Sequence, residues 1–236
     1  MAWAFQTEYK NSDTGTYFSP EMKTIPEEQE RFAALGLALA QDIEAKWPAG
    51  DRNRHSPDYP SFGSANYPGP LQGWHWPVPE RPFRAQLLKP EGDIVDIISS
   101  SFGCYALSQK VIDIIKSIEP GAHQFLPYEL LNPDGSVHPA RRWLLNVCTR
   151  VEVIDRERSN VQWMAPPSDR WFYDAPGKAL LVARATEASK RAVWHEWRYH
   201  GQVKTFATDR LWNALKAAGI RGWQPHYSYR HQIEEV

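Results

Sequence analysis

The sequence predicts an α+β fold: a mixed, mainly antiparallel sheet with a few packed helices. Segments with strand-like alternation outnumber those with helical spacing. Several are joined by turns rather than helical crossovers, which disfavours a doubly wound parallel sheet. A chain of 236 residues can bury a full core without staples. Its 19 prolines are unevenly spread, with eight at positions 48, 57, 60, 68, 70, 77, 79 and 82. A stretch punctuated in that way is neither helix nor central strand. The expected organisation is an N-terminal helix and a Pro- and aromatic-rich arm over residues 1–82, docked on an α+β body over residues 83–236 as one compact unit.

The first element opens at Thr24-x-x-Glu27, a capping box with Pro26 in the first turn. Phe32, Leu35, Leu39 and Ile43 then recur at helical spacing, and Pro48 ends the helix near Trp47. Glu28, Glu30, Arg31, Asp42 and Lys46 fall off that stripe, and Glu27 and Glu28 read as solvated helix-start charges. The arm that follows carries Tyr59, Phe62, Tyr67, Leu71, Trp74 and Trp76. That many large side chains is foreign to ordinary disorder, so the arm is expected to lay them on the folded body or on a partner.

Residues 83–89 and 93–100 read as strands. Ser108 is placed to cap a helix whose stripe is Val111, Ile112, Ile115 and Ile118, stopped by Pro120-Gly121. Residues 123–131 form a strand that Pro127 assigns to an edge or a bulge. Asn132-Pro133-Asp134-Gly135 is a strong turn, and residues 141–147 return with Trp143, Leu145 and Val147 on one face. Shorter strand signals lie at 151–154, 160–164, 179–183, 193–199 and 203–206. Thr208 caps the last helix, with Asp209 in its first turn, Leu211, Trp212, Leu215 and Ala218 on its stripe and Gly219 as its stop. Residues 220–224 suggest a last strand, and Glu234 and Glu235 read as charges of a polar tail.

Residues 106–112 and 206–212 play the same parts in turn: strand, Ser or Thr cap, amphipathic helix, glycine stop, strand. Duplication and the generic needs of any strand–helix–strand unit both account for that.

Chemistry is hard to find. Net charge is −1, from 27 basic and 28 acidic residues, which argues against a generic phosphate binder and against a polyanionic nucleic-acid mimic. Two cysteines, Cys104 and Cys148, make neither a disulfide scaffold nor a zinc site. No segment approaches a membrane span, and the N-terminus lacks the pattern of a secretory signal, so a cytoplasmic setting is expected. His195 and His200 are five apart on a strand-like segment, whereas a helical zinc motif needs four. Cys104 precedes a helix and is the best thiol candidate, against the commoner reading of a small buried residue. There is no Gly-x-Ser-x-Gly, Walker loop or Gly-x-Gly-x-x-Gly. No catalytic residue, cofactor or metal ligand is assigned.

Five segments together carry a resemblance. The first two are 105–111 (Tyr-Ala-Leu-Ser-Gln-Lys-Val) and 118–129, the latter with Pro120-Gly121-Ala122-His123-Gln124-Phe125 at its centre. Trp143-Leu144-Leu145-Asn146-Val147 lies downstream, and Thr205-Phe206-Ala207-Thr208-Asp209-Arg210-Leu211 and Lys216-Ala217-Ala218-Gly219-Ile220-Arg221-Gly222 close the set. Over roughly residues 84–225 the chain resembles a bacterial immunity-protein family of polymorphic toxin systems. The resemblance implies a non-enzymatic protein that binds a cognate toxin in the cytosol and blocks it stoichiometrically, with no membrane and no direct nucleic-acid partner. It brings no active site. The expected contact set for the toxin is Trp74, His75, Trp76, Trp194 and Trp197, because Trp and Tyr anchor protein interfaces. The alternatives are a carbohydrate- or nucleotide-binding module using the Trp-rich surface, or an enzyme with an unrecognised site.

Overall fold

The computed structural model describes residues 2–7, 20–46, 75–90, 92–100, 102–155, 157–159, 162–163, 171–172, 181–196, 205–225 and 233–235. In chain order the elements begin with β1 Ala2–Thr7, β2 Met22–Lys23 and α1 Pro26–Lys46. Next come β3 Phe83–Leu87, β4 Ile97–Ser99, β5 Tyr105–Leu107, α2 Gln109–Ile118, β6 Gln124–Leu131 and β7 Arg142–Asn146. The second half holds β8 Arg150–Val151, β9 Gln162–Trp163, β10 Trp171–Phe172, β11 Leu181–Ala183 and the one-turn α3 Ala185–Ala188. It closes with β12 Val193–Glu196, β13 Thr205–Thr208, α4 Asp209–Ala217, β14 Trp223–Pro225 and β15 Ile233–Glu235. The class is the expected one, mixed α+β. A six-stranded sheet runs β2-β3-β6-β7-β5-β4, antiparallel throughout except for the parallel pair β3 and β6.

Helix α1 starts one residue later than the capping box implies, because the Ile25 carbonyl accepts from Glu28 and Gln29. Phe32 and Leu39 bury as expected. Glu28 does not stay in water: it is buried, and its carboxylate pairs with Arg31 at 3.1 Å and with Arg81 at 2.5 Å. Arg31 also donates to the Pro82 carbonyl at 2.7 Å and lies over the Phe83 ring. A carboxylate leaves water only with such partners, and one of them is 53 residues away in sequence, beyond any helical pattern.

The six-stranded sheet is covered on both faces. The cross-strand row Ile98, Ala106, Leu144 and Leu126 faces a first core with Phe32, Trp76, Phe83 and Phe102. The neighbouring row Ile97, Leu107 and Trp143 faces a second core with Val111, Ile112 and Ile115 of α2 and Leu211 and Leu215 of α4. Burying each such aliphatic side chain stabilises the fold by about 1.5–3 kcal/mol. Strand β6 is interior, not an edge. Pro127 is tolerated because the β3 ladder covers only Tyr128 to Leu131, so the proline lies just outside it.

The second sheet runs β11-β15-β1-β13-β12-β8, and β14 also pairs with β1. The first strand of the chain is thus placed among its last ones. Residues Glu234 and Glu235 belong to β15, paired in parallel with β11, and are not part of a free tail. Residues 47–74 of the arm lie outside the described residues.

The internal repeat extends to topology. In each half an antiparallel hairpin leads through a Ser or Thr into a helix: Ile97 opposes Leu107 and Val193 opposes Ala207. Ser108 and Thr208 share extended backbone at φ −72° and −79°. Their N–H groups donate to the carbonyls of Asp96 and Ala192, each the residue before its hairpin's first strand. The hydroxyls differ. That of Thr208 accepts from Leu211 N–H, a true cap, whereas that of Ser108 donates to the Asp96 carboxylate at 2.8 Å. Each unit also completes the other. Ile97 N–H donates to the Arg221 carbonyl beyond α4, and Ala192 N–H donates at 2.6 Å to Glu119 beyond α2.

Candidate functional site

The connection from β6 to β7 builds a groove of about 590 Å³. Its tip is the predicted turn. Gly135 has φ +85°, a left-handed conformation glycine adopts without strain, and the Asp134 carboxylate accepts from the Ser136 N–H and hydroxyl. Those bonds draw the Asp134 carboxyl below its usual range. The chain returns as a strap over residues 137–141. His138 N–H donates to the Leu130 carbonyl at 2.8 Å, and His138 Nδ1 accepts from Ala140 N–H at 3.1 Å. Pro139 stiffens the strap, Pro82 and Pro127 line the groove with it, and Trp143, the register partner of Pro127, adds a half-buried indole. Val137 is 56% exposed.

The charges of the groove are unbalanced. Its carboxylate, Glu129, is taken by Arg84 at 2.9 Å. Arg142 is 7% exposed and donates to three carbonyls, those of Ile94, Val95 and Arg141, while its Nε has no partner among the described residues. Burial lowers its pKa, opposed by the charges of Asp96 and Asp93. Arg141 is exposed and makes no side-chain ion pair with a described residue.

The motif residues of the resemblance build the scaffold instead. Glu119, buried just beyond α2, accepts from Ala192 N–H, His123 Nε2 at 3.3 Å, Thr149 Oγ1 at 3.2 Å and Arg191 at 3.2 Å. Burial alone would raise its pKa, but the bonds from His123, Ala192 and Arg191 and the His123 charge hold it below the ordinary value. Gln124 clamps the backbone of Trp76, and Asn146 Nδ2 donates to the same amide oxygen at 3.0 Å. Sequence periodicity gave no hint of Glu196. It is buried at the end of β12, accepts from the N–H groups of Val153 and Ile154, and burial pushes it up to about 8.

Of the five expected contact residues, the structure describes His75, Trp76 and Trp194. Trp74 and Trp197 lie outside the described residues, and His75 is exposed. Trp76 is 3% exposed, its ring 4.4 Å from Phe32 in the first core. Trp194 is 0% exposed on β12, stacked 5.6 Å from Phe206. Burial pushes the thiol of Cys104 up to about 12 and that of Cys148 to about 11, so neither is a thiolate at neutral pH. Among the described residues no group of three or more His, Cys, Asp or Glu is placed to hold a metal, and no helix is long and apolar enough to cross a membrane. The groove escaped the sequence because three separated segments build it. Its one sequence signal, Arg141-Arg142-Trp143 after a Pro-rich turn, reads equally well as a strand start.

A comparison with curated proteins found no match. A comparison with family profiles matched the immunity protein family Imm11 over residues 16–228. That span takes in α1 and the arm, which the motif resemblance over 84–225 left out. On a match of that length, the chain belongs to the Imm11 immunity protein family.

Proposed function

We propose that this protein binds a cognate bacterial toxin in the cytoplasm and neutralises it as a stoichiometric inhibitor. The observation that carries this reading is the match to an immunity protein family, typically non-enzymatic inhibitors, across most of the chain. The raised pKa of Cys104 works against thiol catalysis, and the burial of Trp194 works against a ring-stacking sugar or nucleotide module. A near-neutral chain is also poorly suited to imitate a polyanion. Arm and body act as one unit in this reading, supported by the Gln124 clamp on Trp76. Of the expected contact set, His75 is the exposed described member, and Trp76 and Trp194 are buried.

The test is co-expression with the adjacent reading frame, followed by purification of the pair. Restored growth and a complex that survives size-exclusion chromatography are expected. Undiminished killing with no complex would reject the reading for that pair.

A further inference from the structure

Resting on that reading, we propose that the groove between the 137–141 strap and Pro82 is the toxin-docking surface, and that it receives an acidic toxin segment flanked by apolar side chains. The charge balance selects the occupant. Glu129 is spent on Arg84, Arg142 donates to three carbonyls, and among the described residues exposed Arg141 has no carboxylate partner. A carboxylate arriving at exposed Arg141 finds a guanidinium with no ion-pair partner among the described residues, and the bound partner would shield that charge-assisted hydrogen bond from water.

The remaining wall selects for a protein. Trp143, Pro127, Pro139 and the exposed Val137 offer apolar surface beside that charge. Trp and Arg are the residue types that dominate interface energetics. One accessible guanidinium between apolar walls does not suit a nucleic acid, which needs a row of cations along its phosphates. The groove is also pre-organised. Three prolines line it, and the strap is fixed by the His138 and Ala140 N–H bonds, so little freedom is left to lose on binding.

The experiment uses the full chain and the purified product of the adjacent reading frame. Arg141→Glu and Val137→Asp alter exposed side chains in the groove. Leu37→Asp, at a position 59% exposed on α1, is the control. Arg141→Glu and Val137→Asp are expected to weaken binding about 10- to 100-fold with melting temperatures near wild type, while Leu37→Asp binds normally. Hydrogen exchange in the complex is expected to protect residues 137–143. Wild-type affinity in both groove variants, or protection confined to another face, overturns the docking surface and leaves the immunity reading standing. An equal loss in Leu37→Asp overturns it too. Self-association abolished by Arg141→Glu would make the occupant a second copy of this chain, also against the proposal. If the wild-type chain binds nothing and relieves no toxicity, the immunity reading fails first, and the docking surface with it.

Discussion

Gln124 and Trp76 hold each other through two hydrogen bonds of opposite direction. The amide Nε2 donates to the Trp76 carbonyl at 2.6 Å, and the Trp76 N–H donates to Oε1 at 2.8 Å. A side chain of β6 thus satisfies both backbone groups of an arm residue that belongs to no ladder. Gln124→Glu keeps the acceptor but sets a carboxylate oxygen against the Trp76 carbonyl. It should cost about 1–3 kcal/mol. Amide exchange at Trp76 should accelerate more than exchange in α2; equal acceleration would mean the clamp is not local.

Two glycines of one motif should answer mutation differently. Gly222 has φ +92°, and a Cβ there would overlap the Ile97 carbonyl oxygen and stand 2.7 Å from Val95 Cγ2. Gly219 has φ +66° with nothing within 4 Å of a Cβ. Gly219→Ala should cost about 1–2 kcal/mol, the left-handed penalty alone. Gly222→Ala should cost more than about 3 kcal/mol, because backbone must move as well. Urea midpoints at constant m-value measure both.

Stability should fall as pH rises through the neutral range. Glu196 titrates near 8 in the folded protein against an ordinary 4.5. Burial is the main cause, the Val153 and Ile154 N–H groups oppose it, and the charge of Glu152 adds to it. The folded state therefore keeps a proton that the unfolded chain releases. Its contribution is complete below about pH 4.5 and is lost towards pH 8, at no more than about 1.4 kcal/mol per pH unit. Glu119 has the opposite sign: its lowered pKa contributes above the ordinary carboxylate range and is lost as acid protonates it. Glu196→Gln should flatten the alkaline side of the urea-midpoint profile and leave the acid side in place.

Both thiols should resist alkylation in the native state. With Cys104 near 12 and Cys148 near 11, the thiolate fraction at pH 7.5 is below about one in a thousand. Iodoacetamide should label the protein slowly until urea unfolds it, and then label two sites. Fast native labelling of Cys104 would revive the enzyme alternative.

Elements with local signals were legible in the sequence. Helices α2 and α4 announce themselves by cap, stripe and glycine stop within a dozen residues, and the 132–135 turn by its composition. Elements whose meaning lies far along the chain were not. Strand β1 pairs with residues 205–208, so nothing near it marks it as a strand. Glu28 looks solvated until Arg81 closes over it. Trp194 sits in an alternating segment that implies one wet face, yet every residue of β12 is buried because both faces are covered. The same distance hid the groove, whose walls come from Pro82, residues 127–129 and the 137–143 return.

The mutual completion of the two hairpin–helix units sets an order on biosynthesis. Asp96 and Ile97 leave the ribosome long before Arg221, which bonds to both and lies 125 residues beyond Asp96. Strand β1 precedes all of its partners, which lie at 205–208, 223–225 and 233. Contacts of such separation close slowly, and neither unit has its full set of bonds while the other is missing. A chain that has not yet delivered Arg221 to Asp96 and Ile97 therefore leaves both units incomplete. On the proposed function, cover would come only from copies past that point, so the time spent reaching it would be time without cover.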